Sequence, residues 1–179
     1  LKIKMDEELG KTTAEDAEVS ASSRDPLMEL LEVAVKNITD TAPLVLAATA
    51  ERKQALFDGK SVLAKEASKR AVKYAKHQHM WRERVSNMAG QIVPQEQGRV
   101  NTLMMTVRNQ AGVQAQARAD VADAAENNDR EALMKARKAA SESFTKIREA
   151  EGDLFAIVRS VPQLSAKMLK LAKQLNGKW

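Results

Sequence analysis

The residue types that carry out most enzyme chemistry are scarce in this chain of 179 residues. It contains no cysteine and only two histidines, His77 and His79, which stand two positions apart on a predicted helix. Side chains two positions apart point about 200° away from each other around a helix axis, so this pair cannot hold one metal ion on one face. No motif gives either histidine a serine partner. A nucleophilic triad is therefore not expected.

The carboxylate pairs and the glycine positions of the sequence also predict no catalytic or metal site. Glu149 with Asp153 and Asp120 with Asp123 have helical spacing, but a di-metal site in a helical bundle needs Glu-x-x-His pairs, and the chain has none. Phosphate-binding loops of the GxGxxG or GxxxxGK[ST] type are also missing. We therefore interpret these acids as surface residues. We expect no catalytic residue, no metal, no cofactor and no enzymatic activity.

Basic residues form the strongest pattern in the sequence. Residues 52–84 contain ten Lys or Arg against three acids, and residues 159–179 contain five against none, whereas residues 1–51 are acidic. Four lysines in the first of these segments stand at i, i+4, i+8 and i+11, which places them on one helix face almost free of acids at i+4. The candidate binding residues are Lys65, Lys69, Lys73 and Lys76, with Arg70, Arg82 and Arg84 beside them, and Lys167, Lys170 and Lys173 near the C-terminus.

Such a charge distribution attracts polyanions, which include acidic protein surfaces, acidic phospholipids and nucleic acid. Specific nucleic-acid recognition is not expected, because the chain shows neither a short recognition helix nor an aromatic stacking platform. The simpler interpretation is that charges on the outer faces of helices keep the protein in solution. Both interpretations remain open at this point.

The elements that carry these residues are predicted to be helices. The chain is 44% hydrophobic, yet it has 3% aromatic residues, seven glycines and four prolines, which excludes an all-β fold of this length. Apolar residues recur at three- and four-residue spacing from residue 25 onward. We predict an all-α fold, an antiparallel bundle of four long helices plus a short C-terminal fifth helix. Residues 1–24 are predicted to be a flexible acidic arm, and residues 25–179 the bundle domain.

Several local signals predict helix boundaries and core positions. Asp25 is a plausible N-cap with Pro26 at the first helical position, and Asn128 with Glu131 resembles a capping box for the fourth helix. Pro43 lies inside the first apolar pattern, so that helix either kinks there or stops and restarts. The second helix carries a long apolar stripe in which Trp81 is the most informative predicted core residue.

Four segments resemble the bundles of the vinculin and α-catenin family. Two of them look like the helix-turn-helix joints of that family, and two are similar to its alanine-rich and Trp-containing helix turns. The joints are Asp120–Asp129, which leads to Leu133, Ala136 and Ala140, and Val161–Ser165, which leads to Lys167–Leu171; the helix turns are Thr41–Ala48 and His79–Val85. The resemblance covers about residues 40–175.

The resemblance implies a cytoskeletal adhesion adaptor whose bundles bind actin filaments, acidic phospholipids or partner helices. The basic rows would be the binding face, because both actin and acidic membranes are negatively charged. The alternative is a microbial surface, secretion, phage structural or receptor sensor bundle in which the basic face only interacts with solvent. The lack of cysteine and of a signal peptide or membrane span favours a cytoplasmic location, and a homodimer is possible.

Overall fold

The computed structural model describes residues 25–167. The predicted arm, residues 1–24, and the end of the chain, residues 168–179, lie outside the described residues. Between residues 25 and 167 the chain is helical apart from short turns and contains no strand. The long helices are α1 (Pro26–Phe57), α2 (Ser61–Ile92), α3 (Gln97–Glu126) and α4 (Arg130–Ser160), with a 3₁₀ turn at Pro94–Glu96 before α3. A fifth helix, α5, begins at residue 162 and is described as far as residue 167. The predicted all-α bundle of four long helices and a short C-terminal helix is confirmed.

The helix ends follow from their capping residues. Asp25 is the N-cap of α1, because its Oδ1 accepts a hydrogen bond from the Leu27 amide at 3.0 Å. The capping box predicted at Asn128 is wrong by one residue, since Asp129 Oδ1 accepts from the Ala132 amide at 3.0 Å and caps α4. Asn128 has a φ of 52° and makes the turn instead. Asparagine tolerates this left-handed conformation better than most residues, which explains its place there.

Pro43 does not stop the first helix, since α1 continues without a break from Pro26 to Phe57. Neighbouring polar side chains engage the carbonyls of the turn before it. Thr41 Oγ1 donates to the Asn37 carbonyl at 2.7 Å, and Gln78 Nε2 from α2 donates to the Ile38 carbonyl at 3.1 Å. The proline leaves the Thr39 carbonyl without its helical N–H donor. Gln78 thus links α2 to α1 just before the proline, and α1 continues through a residue that would weaken an isolated helix.

The helices pack in sequential order. α1 packs against α2, α2 against α3, and α3 against α4, as short connections require of antiparallel neighbours. Over the described residues α1 and α4 hardly approach each other, so the fourth side of the bundle is not closed by direct helix packing. This open side becomes important for the site described below.

The two ends of the bundle have different cores. At the end where α1 begins, large side chains from all the helices form one buried cluster that includes Leu31, Val85, Val100, Leu154 and Leu164. Toward the other end, where the α1–α2 and α3–α4 turns lie, most buried apolar residues are alanines. Large apolar side chains there are instead exposed, and they include Leu46, Phe57, Leu63, Met134 and Phe144. Alanine seams let helices approach closely but leave little side-chain volume to fill a central core.

The apolar stripe predicted on α2 is therefore only partly correct. Leu63 is 51% exposed. The buried face of this part of α2 is formed by Ala64, Ala67 and Ala71, and the row begins one residue after Leu63. Trp81 is partly buried at the edge of the large core cluster, rather than fully inside it.

Candidate functional site

Three of the predicted basic residues form an exposed patch on α2. Lys69, Lys73 and Lys76 all lie on its solvent-facing surface and span about 10 Å along the helix axis. None of their ammonium groups has an acidic partner within the described part of the chain. We call these three residues the lysine face.

Two other members of the predicted row are neutralised by acids from neighbouring helices. Lys65 Nζ lies 2.5 Å from Asp123 Oδ1 and 3.5 Å from Glu126 Oε2, both on α3, and the contact with Asp123 raises the pKa of Lys65. Arg70 forms an ion pair with Glu51 of α1. Spacing along α2 could not reveal either partner, because both pairs cross between helices. The basic row is thus shorter than its sequence pattern suggests.

Arg82 points into the bundle rather than along the exposed face. Its side chain is 11% exposed, and its Nη1 lies 3.5 Å from Glu151 Oε1 on α4. The same carboxylate oxygen lies 2.5 Å from His79 Nδ1. Burial lowers the pKa of Arg82, while the charge of Glu151 acts in the opposite direction. Arg82 Nε is buried and has no hydrogen-bond partner in the described structure.

The remaining predicted residues lie apart from the lysine face. Arg84 is exposed and its guanidinium stacks over the ring of Trp81, 4.6 Å from the ring centroid. Lys167 forms an ion pair with Asp25 and so ties α5 to the start of α1. Lys170 and Lys173 lie outside the described residues. Of the predicted C-terminal basic row, the structure therefore describes Lys167 alone.

A second group of cations, not predicted as a site, lies on the open side between α1 and α4. Arg52 of α1, Arg118 of α3 and Arg137 of α4 come together there, and we call this region the arginine cleft. Arg52 and Arg137 line a cavity of about 720 Å³, and Arg118 lines a second cavity of about 440 Å³. Along α4 the two cavities lie one helical turn apart, since Ala140 lines the first and Phe144 the second.

Arg52 is close enough to both Arg137 and Arg118 for their charges to repel. Burial and the charge of Arg137 lower the pKa of Arg52, and burial and the charge of Arg52 lower the pKa of Arg118. Within residues 25–167 no carboxylate forms an ion pair with any of the three. Arg137 is exposed, but Arg52 and Arg118 are partly buried, and a partly buried cation without a counter-charge loses hydration that nothing in the protein replaces.

One sequence signal does point to this cleft. Arg118 interrupts the alanine-rich apolar stripe of α3, in which a charged residue is out of place. The sequence gives no comparable signal for Arg52 and Arg137, because each of them stands next to other polar residues. Only the open side of the bundle brings them together.

Comparisons with protein families, with curated proteins and with solved structures found no match to this chain. Among the described helices, none has a stretch both apolar and long enough to span a lipid bilayer.

Proposed function

We propose that this bundle is a non-enzymatic binding module that attaches to an acidic surface through the lysine face. The observation that carries the proposal is the row of Lys69, Lys73 and Lys76, three exposed cations on one helix face without acidic partners in the described chain. Like charges at this spacing repel each other slightly. An anionic partner would remove that repulsion.

The chemistry of the face favours a broad acidic surface over a small defined ligand. Lysine presents a hydrated point charge on a flexible stem, whereas fixed bidentate recognition uses arginine. Lys69 and Lys73 are exposed on the helix surface and line none of the cavities described, while Lys76 alone borders a cavity of about 310 Å³ between α2 and α3. An acidic filament such as actin or an acidic phospholipid surface fits this geometry, and the family resemblance names the same two partners. A cytoplasmic location belongs to this proposal.

Co-sedimentation tests the proposal directly. The full chain is spun with actin filaments and, separately, with liposomes that contain phosphatidylserine, at low and at physiological salt. We expect binding to at least one of these surfaces, and we expect it to weaken as salt rises, because exposed charges are screened. The triple variant Lys69→Glu, Lys73→Glu and Lys76→Glu should reduce the bound fraction at least tenfold.

A matched control separates the lysine face from net charge. Lys36, Lys135 and Lys146 are exposed on other helices, and reversing all three to Glu changes the net charge equally. This control should bind within about twofold of the unchanged chain. Equal losses in both variants would show that net charge alone governs binding. No binding to either surface would favour the alternative, a structural or sensor bundle whose lysines interact only with solvent.

A further inference from the structure

The arginine cleft has a strong excess of positive charge for its size. The larger cavity is lined by four cationic side chains, Arg52, Lys53, Arg130 and Arg137. A single acid, Asp129, faces the same cavity, and its Oδ1 is already used to cap α4. Four positive charges therefore face one space to which the described residues contribute a single negative charge.

Part of the wall of this cavity is apolar. Leu56 and Phe57 from the end of α1 and Leu133 from the start of α4 line it, with Val121 and alanines of α3 and α4. Apolar walls displace water and strengthen charge interactions inside the cleft. They also offer contact area to a ligand that is more than a bare ion. A ligand that fits would combine multiple negative charges with an uncharged, flat or apolar body.

The size of the cleft favours a small molecule over a partner helix. Small-ligand sites typically measure about 300–1,000 Å³, and the larger cavity of about 720 Å³ lies within this range. A helix with its side chains is about 10 Å across, so one turn occupies about 400 Å³. The cavity would enclose fewer than two turns, so most of a docked helix would lie outside it.

Arginine chemistry narrows the choice of anion. Guanidinium groups bind phosphoryl and carboxylate groups through two parallel hydrogen bonds. A single carboxylate carries one charge, whereas a terminal phosphoryl group carries about 1.5 to 2 near neutral pH, and each bridging phosphoryl group adds one more. A polyphosphate thus places enough charge in a small volume to match several cations at once.

We infer that the arginine cleft binds a small organic polyphosphate, with its phosphoryl groups on Arg52 and Arg137 and its uncharged body against Leu56, Phe57 and Leu133. Arg118, which lines the neighbouring cavity one turn along α4, holds the far end of the anion. This site shares no residue with the lysine face. Polyphosphate binding at this site can therefore succeed or fail independently of the proposed attachment to acidic surfaces.

Isothermal titration calorimetry on the full chain tests this inference with two probes, inorganic tripolyphosphate and magnesium-free ATP, at constant ionic strength. Both should bind, and ATP should bind more tightly because its base and ribose contact the apolar wall. The variant Arg52→Gln with Arg137→Gln should weaken both affinities at least tenfold, since it removes two charge-assisted contacts. Without ligand this variant should melt no lower than the unchanged chain, because it relieves repulsion, and ATP should no longer raise its melting temperature.

The matched control is Lys36→Gln with Lys146→Gln, which removes the same two charges from exposed positions on the same two helices, α1 and α4. It should keep both affinities within twofold. Equal losses in the two variants would overturn the site in favour of general charge attraction. Failure of both probes to bind would also overturn it, as would binding of an acidic helical peptide in their place. Equal affinity for the two probes would overturn the part assigned to the apolar wall.

Discussion

Glu151 is the residue on which the buried polar cluster of the bundle depends. Its carboxylate, 12% exposed, contacts both His79 and Arg82 on α2. A buried arginine without a counter-charge is strongly unfavourable, whereas a paired one is tolerated. Glu151 therefore offsets the cost of placing Arg82 inside the bundle and links α4 to α2 at that level.

Replacing Glu151 with glutamine should destabilise the fold with little change in side-chain volume. We expect Glu151→Gln to lower the free energy of unfolding by about 3 kcal/mol, because it leaves the Arg82 charge uncompensated. Urea denaturation followed by circular dichroism measures the change.

Glu142→Gln is the matched control for this substitution. Glu142 lies on the same helix but is exposed and has only a 3.9 Å contact with Lys138, so its replacement should cost less than about 0.5 kcal/mol. Equal effects of the two substitutions would mean that the buried pair has no special weight.

At the scale of single elements, α1 shows how tertiary contacts overcome a local break. The helix continues through Pro43 although the proline removes one hydrogen bond of the helical ladder. The Ile38 carbonyl, one turn earlier, accepts a hydrogen bond from Gln78 of α2. The proline lowers the stability of α1 by one lost hydrogen bond, and the contact with Gln78 of α2 contributes to keeping α1 in place.

Removing this proline should stabilise the protein. Pro43→Ala restores a helical N–H donor for the Thr39 carbonyl, and Pro43 is exposed, so no packing is lost. We expect a gain of about 1–2 kcal/mol in the free energy of unfolding, measured by urea denaturation.

Pro26→Ala provides the comparison within the same helix. Pro26 occupies the first helical position, where a missing N–H costs nothing and a fixed φ is favourable. This substitution should change stability by less than about 0.5 kcal/mol. A loss of stability in Pro43→Ala would mean that a bend at the proline is needed for packing between α1 and α2.

At the scale of the whole molecule, the bundle has a well-packed end and an alanine-rich end. Burial of a leucine or valine side chain contributes about 1.5–3 kcal/mol, and an alanine contributes much less. The end that contains Leu31 and Leu154 should hence be the more stable one. The alanine-rich end carries the arginine cleft, and local opening there would admit a ligand without unfolding the rest.

Hydrogen exchange followed by mass spectrometry can test this difference within one helix. Residues 31–38 of α1 supply four side chains to the large core cluster, whereas residues 46–56 include Arg52, Lys53 and Leu56, which line the cavity on the open side. We expect the first group to exchange at least tenfold more slowly than the second, because its opening must expose large buried side chains. Equal protection along α1 would show that the bundle opens as a single unit.

The sequence by itself determined the fold class and most element boundaries. Helical periodicity, the Asp25–Pro26 start and the short turns predicted an antiparallel bundle, because these signals act within a few residues of one another along the chain. The sequence placed the cap of α4 at Asn128 instead of Asp129, because both residue types are common caps. The positive φ of Asn128, which sequence does not reveal, puts Asn128 in the turn and leaves Asp129 as the cap.

Only the tertiary structure decided which charges remain free. Lys65 and Arg70 are neutralised by acids from α3 and α1, and Arg82 lies inside the bundle against Glu151. The convergence of Arg52, Arg118 and Arg137 likewise depends on three helices separated by long stretches of sequence. Charge interactions depend on the distance between the two groups in space. The spacing of residues along the sequence predicts that distance only for pairs within a single helix.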